Sequence, residues 1–137
     1  MPNFEDDKQG LKFVQSYLLV HGFDSAEIQS RYCRWDITAT KDDKTYYIEV
    51  KRRKRCARDG VYDDTILEIS KLQSSPCLSN SYVINLFTDC FSFIPYTAPH
   101  KIITEVCQKY SWRKEERVPK TLVSYPNHKK YLHSYDS

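Results

Sequence analysis

The chain has 137 residues, 40% of them hydrophobic and 28% charged, and a net charge of +3. That length suits one domain with one core, and the balance excludes the apolar-poor, highly charged composition of a disordered chain. So mild a net charge neither announces nor excludes a nucleic-acid partner, so its distribution carries more: five cations stand in a row at 51–55, while acids gather at 5–7, 42–43 and 63–64.

The five cysteines, at 33, 56, 77, 90 and 107, are odd in number, widely spaced and contain no C-x-x-C pair. Neither a disulfide framework nor a zinc ribbon fits them; reduced thiols in an intracellular protein do. The start, Met-Pro-Asn-Phe-Glu-Asp-Asp, has no basic and then apolar leader, and no window approaches the roughly 20 apolar residues of a membrane span. The expectation is a soluble protein without a membrane partner, cytoplasmic, in the host cell's cytoplasm if the source is viral.

From Asn3 the pattern is helical. Glu5, Asp6 and Asp7 sit in the favourable first turn, Leu11, Val14 and Leu18 recur every three or four residues, and Gly22 followed by Phe23 reads as a left-handed C-cap. Residues 27–40 alternate, predicting one strand or two with a kink: Cys33, Trp35, Ile37 and Ala39 on one face, Tyr32, Arg34, Asp36 and Thr38 on the other. The "KDDK" turn leads to a second strand over 45–51, with Tyr46, Ile48 and Val50 apolar and Tyr47, Glu49 and Lys51 opposite. Paired as a hairpin with both apolar faces on the first helix, these strands put Asp36, Glu49 and Lys51 on one face.

A second helix is predicted from Asp63 or Asp64 to about Ser74, stopped by Pro76. "SYVINLF" at 81–87 has the length and continuous apolarity of a central strand, and "CFSFIPY" at 90–96 alternates, with Pro95 marking it as an edge. Thr97 to Tyr110 is predicted as a third helix with Pro99 in its first turn; beyond it lies a basic, aromatic tail with a short strand at 120–125. No internal repeat or low-complexity linker appears, so the expected organisation is a single domain over 1–137: a core of about 5–96, then a helix and a basic aromatic extension over 97–137.

Two carboxylates and a lysine converging on one sheet face suit a phosphodiester-cleaving site. Hard divalent cations are commonly held by one or two carboxylates, and a lysine two residues beyond the second acid can meet charge on the phosphate or assist the attacking water. The competing reading is a solvated outer face with cross-strand ion pairs of a few tenths of a kcal/mol, since E-x-K alone is weak evidence. The order of elements decides between them: an acidic-capped helix, a strand with "WDITA", a hairpin into "YYIEVK", a helix and an apolar strand.

Over about residues 5–90 this order resembles the PD-(D/E)xK nuclease superfamily, with Trp35 standing where the name has proline. The resemblance implies an α/β (α+β) fold with a restriction-endonuclease-like core of helix, three strands, helix and strand, its mixed central sheet flanked by helices. It implies catalytic Asp36, Glu49 and Lys51, with magnesium or manganese held by Asp36, Glu49, the backbone carbonyl of Val50 and, among the first-helix acids, Asp7. In the basic run, extended geometry puts Lys51, Arg53 and Arg55 on the active face and Arg52 and Lys54 on the other, ready for backbone phosphates. Arg34 and Lys71 are further candidate nucleic-acid contacts. Glu68 is read as a surface ion pair, and no histidine or cysteine as a ligand or nucleophile.

The expected activity is metal-dependent hydrolysis of DNA phosphodiester bonds, in branched or structured DNA among others. The alternatives are a non-catalytic nucleic-acid-binding module on the same fold and an RNA-directed nuclease. Cutting both strands of a duplex or junction symmetrically from one site per chain would need a homodimer.

Overall fold

The structure, a computed structural model, describes residues 4–53, 65–108, 117–125 and 128–135. Helix α1 (Asp7–Val20) begins later than the expected start at Asn3, because it is the Asp6 carboxylate that caps it, accepting from the Gln9 backbone N–H at 2.9 Å. It stops at Gly22, whose φ of +95° lets the Phe23 N–H reach the Leu18 carbonyl and the Gly22 N–H reach that of Leu19. These two bonds are the Schellman pattern, and Phe23 supplies its apolar contact with the core.

Of the two readings for residues 27–40, the structure has two strands, β1 (Ser25–Ile28) and β2 (Ile37–Lys41), separated by the loop 29–36 rather than by a kink. A two-residue turn, with Asp42 and Asp43 both at positive φ (52° and 64°), connects β2 to β3 (Lys44–Arg52). Paired positive φ values define the hairpin turn whose twist matches that of its strands, and aspartate tolerates them better than most side chains.

Two helices predicted from spacing are corrected. Residues 65–68 form strand β4 (Thr65–Glu68), and only Ile69–Gln73 forms helix α2. The third helix, expected over 97–110, is strand β7 (Lys101–Gln108), after β5 (Ser81–Leu86) and β6 (Phe91–Pro95). Ile102, Ile103 and Thr104 are β-branched and pack better on a pleated surface than on a helix. They also have a partner: β8 (Arg117–Tyr125), longer than the predicted 120–125, pairs antiparallel with β7 on one side and β4 on the other. Strand β9 (Leu132–His133) covers β6 only at Phe91 and Ser92, so Pro95 lies beyond that cover, as an edge proline should.

The described strands form a mixed six-stranded sheet, β1-β2-β3-β5-β6-β9, and a three-stranded sheet, β4-β8-β7. Only β3 and β5 run parallel, and the chain between them contains the α2 crossover. Val14 and Leu18 of α1 bury one face of the large sheet with Ile37, Ile48, Ile84 and Leu86. Leu67 and Val123 of the small sheet bury the other with Val83 and Ile94. Strand β3 is therefore covered on both faces, and a charge on its second face is enclosed unless it looks out through a cleft. No described helix is long and apolar enough to cross a membrane.

Candidate functional site

Glu49 lies on that second face, 3% exposed. Burial raises its pKa above the ordinary carboxylate range, and the nearby charge of Asp36 raises it further; Lys71 and Lys51 act in the opposite direction. Both lysines approach the same oxygen: Lys71 Nζ is 3.2 Å and Lys51 Nζ 3.3 Å from Glu49 Oε1. The other oxygen, Oε2, is buried and has no hydrogen-bond partner among the described residues. A buried, partnerless carboxylate oxygen is costly, and here it belongs to a group whose ionised form is already disfavoured.

Asp36 reaches the same place from the end of the 29–36 loop. Its N–H continues the ladder one step past β2, donating to the Ile48 carbonyl at 2.9 Å, and its Oδ2 accepts from the Val50 N–H at 2.8 Å. In an extended strand the N–H and C=O of one residue point to the same side, and the β2 register ends at Ile37 opposite Ile48. The Val50 carbonyl is thus directed to the Asp36 edge, past the end of the β2 ladder.

Alternation places Asp36 and Glu49 together, as predicted, but fails one residue earlier. Trp35 was expected on the Ile37 face; instead its ring meets Tyr47 edge-on with centroids 5.1 Å apart, and its indole N–H donates to Thr38 Oγ1 at 2.8 Å. The loop backbone rotates before β2 starts, so period-two counting does not extend into it.

Asp36, Glu49, Val50, Lys51 and Lys71 line one cleft of about 370 Å³, with Asp7 and Gly10 of α1 on its other wall. Gly10 belongs there for a packing reason, since a Cβ at that position would lie 2.9 Å from a Leu86 methyl. Asp7 is highly exposed and its Oδ1 accepts from Arg52 Nε at 3.1 Å; Arg52 also donates to the Phe4 carbonyl. Arg53, expected to face substrate, instead ties the sheets together through the Asn85 side chain and the Ile66 carbonyl. Arg34 is exposed and borders a shallow depression beside the cleft, with Trp35, Tyr47 and Tyr96. Lys54 and Arg55 lie outside the described residues, as do Cys56 and the predicted helix start at 63–64.

The other candidates fall away from the cleft. Glu68 pairs with Lys120 at 2.8 Å, which lowers its pKa. His21 stacks on Tyr17, and the His133 ring on Phe91. Sequence reading missed Tyr96, whose phenol is pushed far above its usual pKa by burial and then by the charges of Glu49 and Asp36. The signal was present: Ile94 and Tyr96 alternate onto the face that carries Val83 and Glu49.

Among the described residues there is no cluster of three or more His, Cys, Asp or Glu side chains suited to a metal. The donors that do converge are two carboxylates and a main-chain carbonyl. That set fits a hard cation that keeps several of its waters, and the partnerless Glu49 Oε2 is the atom such a cation would satisfy.

In metal-free protein Glu49 makes stability fall with pH. An acid whose pKa is raised on folding holds its proton more tightly in the native chain than in the unfolded one. Native stability therefore declines as pH climbs from the ordinary carboxylate value through the raised one, and levels off above it. In EDTA, urea melts of wild type and Glu49→Gln between about pH 4 and about pH 8 should differ by an amount that changes in this direction; parallel curves would show that Glu49 is not strained by its charge.

A mixed sheet with a helix on one face and a helix and small sheet on the other is a restriction-endonuclease-like α+β fold. A structure similar to this chain is Hjc, a Holliday junction resolvase from the archaeal hyperthermophile Archaeoglobus fulgidus: the TM-score is 0.53 at 15% identity, over 93% of this chain and 92% of that one. No protein-family profile matches the chain. No curated protein matches it by sequence.

Proposed function

We propose that the protein is a divalent-metal-dependent endonuclease that hydrolyses DNA phosphodiester bonds, with magnesium or manganese as cofactor. The observation that carries this reading is Glu49: a buried carboxylate with one oxygen held by two lysines, the other without a partner, beside a second carboxylate at the end of the neighbouring strand. A purely structural acid on this face would be expected to use both oxygens. The fold shared with a junction resolvase supports the same reading.

Asp36, Glu49 and the Val50 carbonyl would hold the cation, which when bound supplies charge for the phosphate and a more acidic water. The Asp36 carboxylate is oriented by the Val50 N–H, so the acid and the carbonyl beside it are set by one strand edge. Lys51, about a third exposed and facing the cleft, places an ammonium where phosphate charge develops or where the attacking water loses its proton. Lys71 approaches the same carboxylate from α2, opposing the burial that disfavours its ionised form and adding a second phosphate contact. Asp7, whose Oδ1 is occupied by Arg52, is an outer participant across the cleft. Arg34, with Lys54 and Arg55 of the basic run, supplies backbone contacts with salt-dependent affinity. Arg52 and Arg53, whose bonds within the fold set the end of β3, join them as backbone contacts.

The test is incubation of the protein with supercoiled plasmid, a four-way junction, single strands and RNA, in magnesium, manganese or EDTA, beside Lys51→Ala. DNA is cut with metal and not in EDTA, and Lys51→Ala slows cutting by about a hundredfold. No cleavage of any substrate, with binding intact, would leave a non-catalytic binding module; cleavage of RNA alone would identify an RNA-directed nuclease. One site per chain also predicts that symmetric cutting of two strands requires two copies.

A further inference from the structure

The 29–36 loop does more than deliver Asp36. It reads Gln-Ser-Arg-Tyr-Cys-Arg-Trp-Asp, two arginine–aromatic pairs directly before the proposed metal ligand. Tyr32 is 81% exposed, too open to serve the core, and Arg31 lies over its ring at 5.0 Å while donating to its hydroxyl at 2.8 Å. The Trp35 N–H is already committed to Thr38, so what the half-buried indole still offers a partner is π surface rather than a donor. Arg34 and Trp35 border a depression with Tyr47 and Lys71, and Lys71 also lines the cleft, so the two are neighbours.

We propose that this loop is a stacking platform for an unpaired base of the DNA strand whose phosphate enters the cleft, and that the preferred substrate therefore carries unpaired nucleotides beside the cut. This rests on the cleft being a phosphate site. A flat aromatic flanked by guanidinium groups fits a nucleobase followed by phosphates, because every base has a π face and every linkage a negative charge. The depression beside Trp35, about 10 Å³, holds no more than a single water, so a base lies across the ring and is not swallowed by a pocket. In continuous duplex both faces of each base are already stacked within the helix and unavailable to such a platform. A fork, flap or branch point supplies a free base; the loop thus selects on structure without reading sequence.

Binding measured in EDTA separates this from catalysis. Fluorescence anisotropy with a fully paired duplex and a forked duplex of equal length should show wild type favouring the fork by about tenfold, the value of one stacked base. Tyr32→Ala and Trp35→Leu should each shrink that preference towards parity while leaving affinity for paired duplex unchanged. Tyr32, being almost wholly exposed, carries the test should Trp35→Leu disturb the loop, which circular dichroism would reveal. Equal wild-type affinity for both DNAs, an undiminished preference in Tyr32→Ala, or no DNA binding at all would overturn the platform. Failure to cleave in manganese with the fork preference intact would overturn the endonuclease reading and leave the platform standing.

Discussion

Glu49→Ala eliminates metal-dependent DNA cleavage, by on the order of a thousandfold or more, because it removes both the proposed metal ligand and the group that Lys51 and Lys71 hold in place. Glu49→Gln should be as inactive, although it keeps nearly the same volume and can still accept from both lysines. Neither variant is expected to unfold the protein. The wild-type carboxylate is buried against its own preference for water and beside Asp36, so removing its charge relieves a cost, and the two lysines it releases, 36% and 31% exposed, can turn to solvent. The pair of results to measure is cleavage rate and urea midpoint for each variant. A folded Glu49→Gln protein cutting at more than about a tenth of the wild-type rate would remove Glu49 from the chemistry.

Leu18→Ala destabilises the protein by about 3 kcal/mol. Leu18 is completely buried at the centre of the interface between α1 and the large sheet, where its methyls fill space shared with Val14, Ile37, Ile48 and Leu86. Truncation loses the transfer free energy of the removed atoms and leaves a cavity that a helix held at both ends by caps can only partly close. The neighbouring Leu19, 47% exposed, is the control: Leu19→Ala should change stability by less than about 0.5 kcal/mol. Urea denaturation of both variants reads the difference directly, and similar midpoints would mean that α1 does not pack as described. Because α1 forms the wall of the cleft opposite Glu49, Leu18→Ala should also lower the temperature at which cleavage is lost while leaving the rate in the cold near wild type.

The site was legible in the sequence because it is built on regular elements. Period-two alternation along β3 identified Glu49 and Lys51 as partners on one face, and hairpin pairing with β2 added Asp36. Helix α1 and its glycine stop were equally readable, since each depends on neighbours within a turn, whereas its start was read three residues early because Asp6 and not Asn3 caps it. Lys71 was visible only as a cation on a helix; its distance to Glu49 depends on how the chain crosses from β3 to β5, which no local pattern encodes. Arg52 and Arg53 read as phosphate contacts because they stand in a basic run, yet Asp7, Asn85 and the Ile66 carbonyl claim them from 13 to 45 residues away in sequence.

The early part of the second predicted helix and the whole of the third failed for one cause. Ile66, spaced with Ile69 and Gln73, and Ile102, Ile103 and Val106 have helical spacing; Ile69 and Gln73 do fall in α2, but β4 and β7 each find β8, and that pairing outweighs a weak local preference. Trp35 was misplaced because alternation was continued into a loop. That error hid the edge-on contact with Tyr47 and, with it, the place of Trp35 on the depression that shares Lys71 with the cleft.

The central claim is that Asp36 and Glu49 are two ligands of one cation. Crystals soaked in manganese and measured at its absorption edge test it most directly. The account predicts an anomalous peak between the Asp36 carboxylate and Glu49 Oε2, in contact with the Val50 carbonyl, and its disappearance in Glu49→Gln. No peak at that position under saturating manganese, or one that persists in Glu49→Gln, would contradict it.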